Sequence, residues 1–85
     1  MELTADDRAF LDFEREWWQL PGRKNELIRA RLGISASSYY RAVSALIERQ
    51  SALEYDPLTV KRLRRQRDER RRVRIEGRRA DPNTQ

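Results

Sequence analysis

The sequence contains no cysteine and no histidine. Without cysteine there are no disulfides, no thiolate metal ligands and no catalytic thiol. Without histidine, the commonest general base and the commonest transition-metal ligand are both missing. An enzyme is therefore not expected, and no cofactor, metal or small-molecule substrate is expected either. Glycine and proline are scarce, at three each. Arg, Glu, Leu and Ala dominate instead, and all four are good helix formers. No apolar run reaches the roughly 18 residues that would cross a bilayer. The opening "MELTADDRAF" is acidic and lacks the basic start and apolar stretch of a signal peptide. These absences lead us to expect a cytoplasmic protein.

What remains is an 85-residue chain, enough for one small domain. Hydrophobic residues make up 38% and charged residues 39%, so the core must be thin and the stability modest. The net charge of +5 is unevenly spread. Residues 1–20 carry six acids and two bases, and residues 61–79 carry eleven bases and three acids. So strong a basic end points to a polyanionic partner, nucleic acid first and anionic lipid second.

The pattern predicts an all-α fold, a small helix-turn-helix bundle of roughly three to four helices with a projecting basic C-terminal helix. Thr4 reads as an N-cap, with Asp6 and Asp7 in the first turn complementing the helix dipole. An apolar stripe follows at Phe10, Phe13, Trp17 and Leu20, with Leu11 and Trp18 beside it. This helix should end near Trp18, ahead of Pro21 and Gly22, burying Trp17 and leaving Trp18 partly exposed. A second helix is expected over Arg23–Leu32, closed by Gly33. Ser35 should cap a third, reaching Arg49, with Tyr39, Ala42, Val43, Leu46 and Ile47 inward. Ser37, Tyr40, Arg41, Ser44 and Glu48 fall on the opposite face. Residues 50–56 read as a connection pinned by Ala52, Leu53 and Tyr55. Asp56 followed by Pro57 starts a fourth helix. Its apolar residues stop at Leu63 until Val73 and Ile75, so it should project or fray beyond about Gln66. The expected organisation is a helix-turn-helix domain over residues 1–66, then a basic helix extension and disordered tail over residues 67–85.

The second and third helices, joined by "LGIS", have the proportions of a helix-turn-helix. Ile28, Leu32, Ile34 and Tyr39 surround Gly33 where such a corner needs apolar contacts. A major groove accepts one α-helix and offers donors, acceptors and thymine methyls. Ser35, Ser37, Ser38 and Ser44 can bond base or phosphate, Tyr40 can reach a phosphate or stack, and Arg41 can fork onto guanine. Arg23 and Lys24, opening the preceding helix, are placed for the backbone. One residue departs from the usual pattern. Many DNA-reading corners place alanine four residues before the turn glycine, and here that residue is Arg29.

"LGISASSYYRAVSAL" resembles the helix-turn-helix segment of many small bacterial regulators. With "FEREWW", "PGRKNELIRARLGIS", "YYRAVSALI" and "DPLTVKRLRR", residues 3–72 resemble a family of short actinobacterial proteins of unknown function. The resemblance implies a helix-turn-helix fold in an actinobacterium or one of its phages, and supplies no catalytic residues. A weaker similarity to the DNA-reading part of sigma factors implies a place near RNA polymerase.

"KRLRRQRDERRRVRIEGRR" would neutralise phosphates and release counterions. Lys61, Arg62, Arg64, Arg65 and the later arginines are the candidate phosphate contacts. The segment lacks the apolar face that would bury into lipid, so no membrane partner is expected. The leading expectation is a DNA-binding transcriptional regulator on duplex DNA, acting as a homodimer or on a larger complex. One alternative is an interaction factor docking on RNA polymerase, a sigma factor or a phage-host target through Trp18, Tyr40 and the acidic helix. The other is RNA binding through the arginine helix alone.

Overall fold

A computed structural model describes residues 2–79, with side chains through Glu76. The described chain is all-helical. Helix α1 spans Ala5–Glu16 and tightens into a 3-10 turn at Trp17–Gln19. Helices α2 (Lys24–Leu32), α3 (Ala36–Leu46), α4 (Gln50–Tyr55) and α5 (Pro57–Arg79) follow. None of the described helices is long and apolar enough to cross a membrane.

Local chemistry sets most of these boundaries. Thr4 Oγ1 accepts from the Asp7 amide at 3.0 Å, and Asp7 Oδ2 accepts from the Thr4 amide at 3.0 Å, a reciprocal cap on α1. Burial alone would raise the Asp7 carboxyl, but its hydrogen bonds with Thr4 and the Arg49 guanidinium outweigh burial and hold it below its ordinary value. Gly33 closes α2 in the left-handed region, at φ 72°, and its amide donates to the Arg29 carbonyl at 3.0 Å. Ser35 Oγ accepts from the Ser38 amide at 3.1 Å and opens α3. Asp56 Oδ1 accepts from the Thr59 amide at 3.2 Å, capping α5 just ahead of Pro57.

Two differences from the expected layout have physical causes. Residues 50–56 are not a bare connection: Gln50–Tyr55 form the short helix α4, which buries Ala52 fully. Arg49, its N-cap, makes no side-chain capping bond, so no local signal announces this helix. Helix α3 ends at Leu46 rather than Arg49, because residues 47–49 turn the chain into α4. Helix α5 projects beyond Gln66, the first of the two outcomes expected there, and stays helical through Gly77 to Arg79. Arg, Gln and Glu are strong helix formers, and Arg72 bonds Glu69 one turn back and reaches Glu76 one turn on at 3.9 Å. The expectation for residues 80–85 lies outside the described residues.

The core is one cluster fed by every helix. Leu11 and Phe13 come from α1, Ile28 from α2, and Tyr39, Val43 and Leu46 from α3. Ile47 and Ala52 join them, and Val60 and Leu63 come from α5. Tyr39 is at its centre, meeting the rings of Phe10 and Phe13 edge-on at 5.6 Å each. Trp17 is half-buried and Trp18 is 62% exposed, as the helical period requires. Arg29 and Ala30 face solvent, and Ile28 is the α2 residue buried in the core. Beyond Leu63, α5 leaves the body. The radius of gyration is 15.4 Å, and the molecule extends 50 × 30 × 21 Å. A fully compact chain of this length would have a radius of about 12 Å.

A Cβ added at Gly33 would meet nothing within 4 Å. Gly33→Ala should therefore cost only the left-handed backbone penalty, about 1–2 kcal/mol. For a domain this small, each kcal/mol lowers Tm by about 4–8 °C. Gly33→Asn should cost less, because asparagine tolerates that region. Thermal melts would check this; an alanine variant melting with the parent would show that the corner does not depend on that conformation.

Candidate functional site

The outer side of α3 is uncovered. Ser37, Tyr40, Arg41 and Ser44 are all exposed, Tyr40 at 40%. Arg41 makes no hydrogen bond or ion pair among the described residues. Ser35 and Ser38 are bonded to one another at the cap, their hydroxyls 3.1 Å apart, so they shape the helix opening and present less to a ligand than Ser37 does. Tyr40 is held rather than loose. Its hydroxyl donates to Asn25 Oδ1 at 3.2 Å, and its ring packs edge-on against Tyr39 at 5.3 Å. Burial raises its pKa, as does the Glu14 charge, while Arg70 pulls the other way.

Beneath that face is a feature that the sequence reading did not single out. Glu14 is 2% exposed. Its Oε2 accepts from the Tyr39 hydroxyl at 2.5 Å and lies 2.9 Å from Lys24 Nζ. Arg62 Nη2 donates to the Glu14 carbonyl at 2.9 Å and lies 3.5 Å from Oε1. One carboxylate thus ties α1 to α2, α3 and α5. Lys24 Nζ also lies over the rings of Trp17 at 5.0 Å and Tyr40 at 5.3 Å. Burial, and then the hydrogen bond to Glu14, push the Tyr39 hydroxyl far above its usual range, so it stays a donor. Two residues expected to hold phosphates, Lys24 and Arg62, are instead committed to this internal clasp. A buried carboxylate must be paired, and these are the cations that reach it.

The other basic residues of α5 divide between two sides. Arg64 Nε donates to the Ile47 carbonyl at 2.6 Å, satisfying the C-terminal end of α3. Lys61 and Arg65 lie on the side away from α3, on one surface with Asp68, Glu69 and Arg72. Arg67, Arg70, Arg71 and Arg74 lie on the other side, where with Tyr40 and Ser44 they line a cleft of about 280 Å³. Arg67 pairs with Glu48, in the turn after α3, and with Asp68. Arg70, Arg71 and Arg74 have no hydrogen bond or ion pair among the described residues. At the start of α2, Arg23 is exposed and turned to solvent. Trp18 is separate from these groups, with its indole N–H donating to the Arg15 carbonyl at 3.0 Å.

Among the described residues, no three His, Cys, Asp or Glu side chains gather as a metal ion would require. A family model described as "Protein of unknown function (DUF3263)" matches residues 2–75. The chain belongs to that family. The matched span runs from the α1 cap through both walls of the cleft, Arg74 included. Neither the curated proteins nor the solved structures give a match.

Glu14→Ala would leave Lys24 and Arg62 without their buried counter-charge. We expect a loss of about 3–5 kcal/mol, enough to leave much of so small a domain unfolded at 25 °C. Tyr39→Phe removes one donor and should cost about 1–3 kcal/mol. Urea titrations followed by circular dichroism would check both, and a Glu14→Ala midpoint equal to the parent's would show that the clasp holds nothing.

Proposed function

We propose that this chain is a DNA-binding helix-turn-helix regulator, of the small actinobacterial and phage kind that its sequence resembles. One observation carries the reading: the uncovered polar side of α3 stands beside an arginine stripe in which Arg70 and Arg74 make no ion pair among the described residues. In this reading α3 enters the major groove of duplex DNA. Ser37 and Arg41 approach base edges, Arg41 forking onto guanine. Tyr40 and Ser44 face the flanking strand, Arg23 meets the backbone from α2, and the arginines of α5 supply the salt-dependent share of affinity.

One short helix reads few bases. A regulator of this size gains specificity by pairing two copies on adjacent half-sites or by riding on RNA polymerase. The exposed ring of Trp18 favours the second arrangement, since an aromatic side chain is a common anchor at protein interfaces. It lies on a different element from the DNA-facing residues, so one molecule could serve both contacts.

Arg41→Ala should weaken binding to a selected duplex by about 1–3 kcal/mol and relax base preference at one position. Arg23→Ala should weaken all sequences about equally, with the salt slope falling by about 0.9. Duplexes selected from a random pool, followed by anisotropy titrations at about 100 mM salt, would check this. Arg41→Ala and Ser37→Ala variants that keep the parent's affinity and preference would remove α3 as the reading helix.

A further inference from the structure

We propose that the cleft between α3 and α5 seats one phosphodiester strand, so that α5 engages DNA through its α3-facing stripe and not through its solvent-facing back. This rests on the duplex-DNA reading above and adds to it which face of the arginine helix binds.

The first support is the helical period. Val60, Leu63, Arg67, Arg70 and Arg74 are spaced by three or four residues and share one face of α5. Val60 and Leu63 are buried in the core on that face. Where the body ends, the same face continues outward as arginine alone. It overhangs the outer side of α3, where Tyr40 and Ser44 form the opposite wall of the cleft.

The second support is where the acids are. Asp68, Glu69 and Glu76 are off that stripe, and Glu69 and Glu76 pair with Arg72. In the turn after α3, the carboxylate of Glu48 is taken by Arg67. Glu14, at the inner end of the adjoining hollow, is already bound to Lys24, Tyr39 and Arg62. Glu69 shares an outer surface with Arg70, and Asp68 and Glu76 share one with Arg71, but Arg70, Arg71 and Arg74 line the cleft together with no ion pair among the described residues. Like charges held this close repel one another, and an anion between them relieves the repulsion.

The third support is chemical fit. Guanidinium forks match phosphate oxygens, and the Tyr40 and Ser44 hydroxyls can donate to a phosphate from the facing wall. A strand lying in the cleft leaves Ser37 and Arg41, further around α3, turned toward the groove that the strand borders. The back of α5 differs in its lining: Lys61 and Arg65 share their surface with Asp68 and Glu69, whereas no described carboxylate lines the cleft.

The test uses the full chain and a labelled mixed-sequence duplex of about 20 base pairs, titrated by anisotropy across a salt series. Arg70→Gln/Arg74→Gln is compared with the charge-matched pair Lys61→Gln/Arg65→Gln. Glutamine keeps helix propensity, and circular dichroism confirms that both variants fold. The cleft pair should lower the salt slope by about 1.8, making its affinity loss between about 50 and about 200 mM salt roughly tenfold smaller than the parent's. The back pair should stay close to the parent slope. If the back pair loses as much slope as the cleft pair, or more, the cleft is not the seat although the DNA reading stands. If the parent chain shows no duplex binding even at about 50 mM salt, the DNA reading fails and the inference fails with it.

Discussion

Glu14 is the constraint around which the molecule is arranged. It sits four residues after Phe10, three after Leu11 and three before Trp17, inside the face that α1 packs against the other helices. A carboxylate in that position cannot be left to water, so cations and a hydroxyl must converge on it. Lys24 reaches it from α2, Tyr39 from α3 and Arg62 from α5. Such a cluster adds little net stability compared with apolar packing, but it permits few alternative arrangements of the helices. We read its role as fixing orientation.

That orientation determines what α5 presents. Arg62 is tied to Glu14, Arg64 to the carbonyl ending α3, and Arg67 to Glu48. Three attachments over six residues fix the rotation of the helix about its axis. The α-helical period then dictates the rest: Arg70 and Arg74 must follow Leu63 and Arg67 on the side of α3. The arginines used inside the fold thereby aim the ones left outside it. A basic tail thus becomes a directed surface, and the long-range charge asymmetry of the chain becomes a local field at one cleft.

Much of the fold was legible because its boundaries rest on local chemistry. Thr4 with Asp7, Gly33, Ser35 and Asp56 with Pro57 all act within a few residues of themselves, and each closes or opens a helix as its type suggests. The exposed side of α3 was legible from its period. Helix α4 was not, since it is short, uncapped by a side chain, and held chiefly by the burial of Ala52. The clasp was missed for a different reason. Counted by composition, Glu14 is one acid among six in the first twenty residues, and its spacing from Phe10, Leu11 and Trp17 was the signal that set it apart. Lys24 and Arg62 were consequently assigned to phosphate. A run of basic residues does not reveal which members the fold consumes until the partner helices are in place.

The most direct test of the proposed DNA seat is arginine modification by a dicarbonyl reagent, read by mass spectrometry with and without duplex DNA at low salt. The proposal predicts that duplex protects Arg41, Arg70, Arg71 and Arg74 while Arg65 keeps its free-chain reactivity. Protection of Arg65 with undiminished labelling of Arg70 and Arg74 would contradict the account.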